Sequence, residues 1–91
     1  MNIEIHPRIE EQHPEIKNED VLEAWQNFVI GGTRTKSKNY PEVLRIGYDQ
    51  KGRELEMVGT LTENGWLVYH AMTPPSKKTT VEIEKIRRNL Q

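Results

Sequence analysis

Two turn signals, Asp49-Gln50-Lys51-Gly52 and Glu63-Asn64-Gly65, constrain this chain more than anything else in it. Each stands between apolar runs, and Asn-Gly is the strongest short hairpin signal. Segments joined so tightly fold back antiparallel. Residues 42–48 place Leu44, Ile46 and Tyr48 on one face, with Val43 and Arg45 on the other. Residues 53–62 gather Leu55, Met57 and Leu61, with Glu54, Glu56 and Thr60 pointing away. Residues 66–72 are apolar on both faces except at His70, which suits a central strand. A meander of three strands is predicted. Residues 33–36 are a candidate fourth strand, and Ile3-Glu4-Ile5 alternates as a short edge strand would.

Helices flank the meander. Pro7 suits the first turn of a short helix through residues 8–11, and Pro14 ends it. Asn18-Glu19-Asp20 reads as a helix start, with Asn18 as cap and two acids at the positive end of the dipole. Val21, Leu22, Trp25, Phe28 and Val29 then recur at helical spacing, and Gly31-Gly32 closes that helix. Pro74-Pro75 breaks the chain. Thr79 with Glu82 fits a capping box for a last helix over about residues 79–90, with Ile83, Ile86 and Leu90 as its apolar stripe. The expectation is one small α+β domain over residues 1–91: an antiparallel sheet of three to four strands with helices packed on one face.

Composition narrows the function classes. The 91 residues hold no cysteine, so neither a disulfide framework nor a thiolate zinc site is available. No apolar run approaches the roughly 20 residues that span a bilayer. The start lacks the pattern of a signal peptide, so the cytoplasm is the expected compartment. Thirteen basic residues stand against fourteen acidic ones, a balance unlike that of a general nucleic-acid binder. The acids crowd between Glu4 and Glu23, however, while cations recur later, at Lys36, Lys38, Arg45, Lys51, Arg53, Lys77, Lys78, Lys85, Arg87 and Arg88. A fold that gathers the later cations attracts anions. His6, His13 and His70 lack close ligand spacing, and no metal or other cofactor is expected. Gly31-Gly32 lacks the lysine-serine signature of a phosphate loop.

The succession His13-Pro14-Glu15-Ile16, Glu19-Asp20-Val21, Leu44-Arg45-Ile46-Gly47-Tyr48-Asp49, Gly52-Arg53-Glu54-Leu55-Glu56-Met57-Val58 and Tyr69-His70-Ala71-Met72 resembles the BrnT-like group of small toxins, within the RelE/ParE-type superfamily of bacterial toxin–antitoxin systems. The pattern covers roughly residues 6 to 80. Such a resemblance implies helices packed on an antiparallel sheet, and an RNA-cleaving activity restrained by a small antitoxin. By position it assigns site roles to His13, Arg45, Arg53 and His70.

RNA cleavage without a metal needs a base for the ribose 2′-hydroxyl, cations for the phosphate and an acid for the leaving 5′-oxygen. Histidine suits both proton transfers, which points to His70 and His13. The planar fork of arginine suits the phosphate, which points to Arg45 and Arg53. Lys77 and Lys78 suit either a phosphate or an acidic antitoxin segment. Plainer roles exist for each residue. His70 can bond a backbone carbonyl at a strand end, and His13 can be a surface residue at a helix end. Arg45 can pair across strands with Glu54 or Glu56. Trp25 and Phe28 suit the core, and Trp66 suits either the sheet or a stacked base. A second function therefore stands beside the first: a non-catalytic protein-binding domain of the same fold, a degenerate toxin or adaptor. The near-neutral charge favours it, as does Met72, where BrnT-like chains usually have arginine.

Overall fold

The computed structural model describes residues 2–34 and 41–89. Among these described residues five strands form one mixed sheet in the order β1-β5-β4-β3-β2. They are β1 (Ile3–Ile5), β2 (Phe28–Arg34), β3 (Glu42–Tyr48), β4 (Glu54–Thr62) and β5 (Gly65–Met72). The helices among the described residues are α1 (Arg8–Gln12), α2 (Asn18–Gln26) and α3 (Lys77–Asn89). The meander β3-β4-β5 is antiparallel, as its turns require. Asp49 Oδ1 accepts the backbone N–H groups of Lys51 and Arg53 at 2.9 and 2.8 Å, and Gly52 takes φ +79°. In the second turn Gly65 adopts φ +124°, where a side chain would also strike the Asn2 backbone.

Three expectations are corrected. First, the sheet has five strands, not three to four. β1 lies parallel to β5, so the chain's first strand pairs with its last. Second, helices cover both faces. α1 and α2 lie over Leu55, Met57, Val68 and Ala71, while Ile83 of α3 packs on Leu44, Ile46 and Val58 from the opposite side. Third, the helical stripe running to Val29 overshoots. α2 ends at Gln26, and residues 28–34, including Gly31 and Gly32, form an edge strand. Phe28-Val29-Ile30 suits a β backbone as well as a helix, and pairing with β3 decides it. Phe28 is 43% exposed rather than core. Lys36, Lys38 and Leu90, and the outer part of the candidate strand at 33–36, lie outside the described residues.

The helix starts also differ. Asn18 is already helical, and the Asp20 carboxylate reaches back to accept the Lys17 N–H at 2.9 Å. Ser76, not Thr79, begins α3: its Oγ accepts the Thr79 N–H at 3.3 Å. β3 can lie tight under α2 because Gly47 has no side chain. A Cβ there would come within 2.2 Å of the Ala24 carbonyl oxygen. Among the described residues no helix is long and apolar enough to cross a membrane.

One irregularity positions the site. Between β4 and β5 the register shifts: Val58 faces His70, but Gly59 faces Val68. Tyr69 is the extra residue of a β-bulge. Val68 and Ala71 stay in the core under α1 and α2, while Tyr69 joins the Leu44, Ile46 and Val58 cluster on the α3 face. His70 is turned to the same face.

Candidate functional site

His70 Nε2 lies 2.8 Å from Glu56 Oε2. Both side chains stand on the α3 face, at diagonal positions of β5 and β4. The imidazole is 32% exposed and the carboxylate 5%. The other oxygen, Glu56 Oε1, accepts the Ser76 backbone N–H at 2.7 Å. Burial alone pushes the Glu56 carboxyl up, but hydrogen bonds from the Ser76 backbone, His70, Ser76 Oγ and Thr79 outweigh it and hold it below its ordinary value. Glu56 is thus ionised at neutral pH and can only accept. The bonded nitrogen, Nε2, therefore carries the proton, and in the neutral ring Nδ1 keeps a lone pair. The carboxylate fixes both tautomer and orientation of the ring.

The Ser76 contact also ties the start of α3 to this pair. Lys77 and Lys78 follow at once, both exposed in the first turn of the helix. That turn contains no acid, so two ammonium groups meet the positive end of the dipole, an arrangement that favours an incoming anion. Lys77, Lys78, Val81 and Lys85 line a groove of about 740 Å³ with Arg34 and Glu82. Arg34 is already committed. Its guanidinium makes a two-pronged ion pair with Glu82 and lies 3.3 Å from Glu42. Its pKa is raised, chiefly by Glu82, and the Glu82 carboxyl is correspondingly lowered by Arg34. Glu42 is lowered too, first by the Tyr69 hydroxyl it accepts from and then by Arg34.

The other candidates lie elsewhere. Arg45 points to the opposite face of the sheet, so it pairs with neither Glu54 nor Glu56. Its guanidinium carbon sits 4.3 Å from the Trp25 ring centroid, 4.1 Å from Phe28 and 4.9 Å from Trp66. One N–H donates to the Trp25 carbonyl at 3.3 Å, and burial lowers its pKa. This is a cation packed among three rings. Trp66 is half-buried there, its ring edge-on to Trp25. Arg53 spends its fork on the fold: Nε donates to Asp49 at 2.8 Å, Nη2 to Asp20 at 3.0 Å and Nη1 to the Glu15 carbonyl at 3.0 Å. His13 closes α1, its Nδ1 3.8 Å from Glu15. The fold thus brings His70, Lys77 and Lys78 to one side, and leaves His13, Arg45 and Arg53 with α1 and α2.

Glu56 was missed by sequence reasoning because alternation groups it with Glu54 and Thr60 on an apparently solvated face. Only the cover given by the 73–76 segment, invisible to strand periodicity, makes it a buried carboxylate. Among the described residues no group of three or more His, Asp or Glu side chains could hold a metal ion.

These carboxylates set an acid limit on stability. Glu42, Glu56 and Glu82 fall below the ordinary 4.5, and Asp49 falls below 3.8 because the Arg53 contacts outweigh its burial. A folded-state pKa below the unfolded one contributes stability above the unfolded value that is lost as pH falls through the folded one. Urea midpoints should therefore show no loss from these groups near neutrality and should drop progressively below pH 4.5. Glu82→Gln should lower stability at neutral pH and flatten that acid slope.

No family model matches the chain, and no curated protein or solved structure matches it either.

Proposed function

We propose that this chain is the toxin component of a bacterial type II toxin–antitoxin pair of the BrnT/RelE kind, an RNA endonuclease restrained by a small antitoxin. The observation that carries the reading is the oriented His70–Glu56 pair beside the Lys77-Lys78 turn. In this scheme Nδ1 of His70 takes the proton of a ribose 2′-hydroxyl. The oxygen attacks the adjacent phosphorus, the bond to the 5′-oxygen breaks, and a 2′,3′-cyclic phosphate forms. Imidazolium returns its proton to the 5′-oxygen side, and the lysine ammonium groups offset the charge that builds on phosphate. Glu56 is a positioning residue that holds the ring and balances its positive charge. No step calls on a metal ion. Arg45 and Arg53 have no part in it, because ring stacking and carboxylates already occupy them.

The second reading, a non-catalytic binding domain, is favoured by one observation: His13, Arg45 and Arg53 do not converge with His70. Expression alone in a bacterial host separates the two. On the nuclease reading the wild-type chain arrests growth and the purified protein cleaves RNA in the presence of EDTA. His70→Gln should cut that cleavage by about 100-fold or more, with an unchanged circular dichroism spectrum. A harmless wild-type chain without cleavage would end the nuclease reading and leave the binding domain. Full cleavage by His70→Gln would remove the assigned mechanism.

A further inference from the structure

Among the described residues α3 packs mainly on β2, at one end of the sheet and away from the far half of that face. There, at the β1 edge, lies a cavity of about 570 Å³ bounded by His6, Arg8, Thr60, Leu67 and Tyr69 among others. Its chemistry is sharply divided. The Arg8 Nε donates to the Tyr69 carbonyl oxygen at 2.9 Å, which anchors the guanidinium 5.5 Å from the Tyr69 ring centroid. Among the described residues neither Arg8 Nη group has an acceptor. The Arg8 backbone N–H donates to His6 Nδ1 at 3.0 Å, so the neutral ring presents its Nε2–H outward. A fixed guanidinium edge beside an imidazole N–H suits two oxygens of one phosphate. The remaining wall mixes two threonines, Thr60 and Thr62, with apolar side chains. Leu67 and the Tyr69 ring are its apolar part nearest the sheet edge, and the bond from the Tyr69 hydroxyl to Glu42 holds that ring in place.

We propose that this cavity is a nucleotide subsite, in which Arg8 and His6 hold a phosphate while Tyr69 and Leu67 seat the attached base. The bulge sets Tyr69 and His70 side by side on the same sheet face, so a nucleotide lodged here neighbours the proton-transfer pair. This deepens the proposed function and rests on it where the nucleotide belongs to an RNA strand. A free mononucleotide carries the same chemistry.

The test is titration of the intact chain with adenosine monophosphate and, separately, with a short 2′-O-methyl RNA that cannot be cleaved. Binding is followed by calorimetry and by amide chemical shifts. Both probes should shift the amides of Thr60 and Leu67, and Arg8→Gln should weaken binding by about tenfold or more. Arg8→Lys should recover only part of the loss. Arg8 is exposed, so a thermal melt confirms that the variants fold. Binding of adenosine monophosphate alone assigns the pocket to free nucleotides, and binding of the RNA alone assigns it to the strand. The subsite is overturned if neither probe binds, if Arg8→Gln binds as wild type does, or if the shifts fall on α3 instead. Arg8-dependent binding without RNA cleavage would keep the subsite and drop the nuclease. His70-dependent cleavage without Arg8-dependent binding would do the reverse.

Discussion

Arg53→Ala is expected to destabilise the fold by about 3–5 kcal/mol, because it strands two carboxylates that the fold has taken out of water. The Asp49 side chain is fully buried and that of Asp20 is 5% exposed, and Arg53 is the bridge between them. Lys51 also reaches Asp20, at 3.7 Å, but from an exposed position where it cannot replace the lost fork. For a chain of 91 residues each kcal/mol moves the melting temperature by about 4–8 °C, so the melt should fall by more than about 10 °C. Arg53→Lys should sit between the two, since it keeps the charge but not the two-sided geometry. A variant melting within a few degrees of wild type would refute the bridge. The result bears on function as well. On the proposed toxin reading, a loss of growth arrest in Arg53→Ala would report unfolding, so Arg53 cannot be scored by activity alone.

Trp25→Ala is the second large effect, expected at about 3–5 kcal/mol. Trp25 is the largest fully buried side chain, and it stands where α2 crosses the sheet. Its removal empties space beside Gly59, where a Cβ would lie only 2.9 Å from the ring. It also takes away one of the three rings around Arg45 and the edge contact of Trp66, whose centroid is 5.3 Å away. Trp25→Phe should cost clearly less than the volume change implies. Trp25 Nε1 is a buried donor without a partner among the described residues, so phenylalanine also relieves an unmet hydrogen bond. Urea denaturation of both variants measures the difference. Equal losses would mean that the indole nitrogen does have a partner.

How much of this was legible in the sequence depends on the range of the interactions. The meander could be read because its turns are local: Gly52 and Asn64-Gly65 fix strand pairing within a few residues. The parallel pairing of β1 with β5 could not, because it joins Ile3 to Trp66 across nearly the whole chain. The end of α2 was misjudged at Phe28 and Val29, where helical spacing and strand propensity coexist and only the edge of β3 decides. At the candidate site, His70 and the two lysines were singled out from residue type and order, and the fold sets them on one side. Glu56 was not, since its burial depends on residues 73–76 folding over it. Arg45 was assigned to phosphate because a sequence does not reveal that three aromatic rings, drawn from α2, β2 and β5, will close around one guanidinium.

The bulge at Tyr69 has a consequence for how such a chain can change. Strict alternation through β5 would have sent the imidazole of His70 inward, among the apolar side chains beneath α1 and α2. One surplus residue spares it that fate. Deleting Tyr69 would restore an uninterrupted ladder while keeping His70 and Ala71 on their present sides. A lineage could thus shed the ring by an indel and retain the imidazole, whereas removal of a neighbour such as Leu67 would shift the strand's outer segment by one place and turn its side chains over.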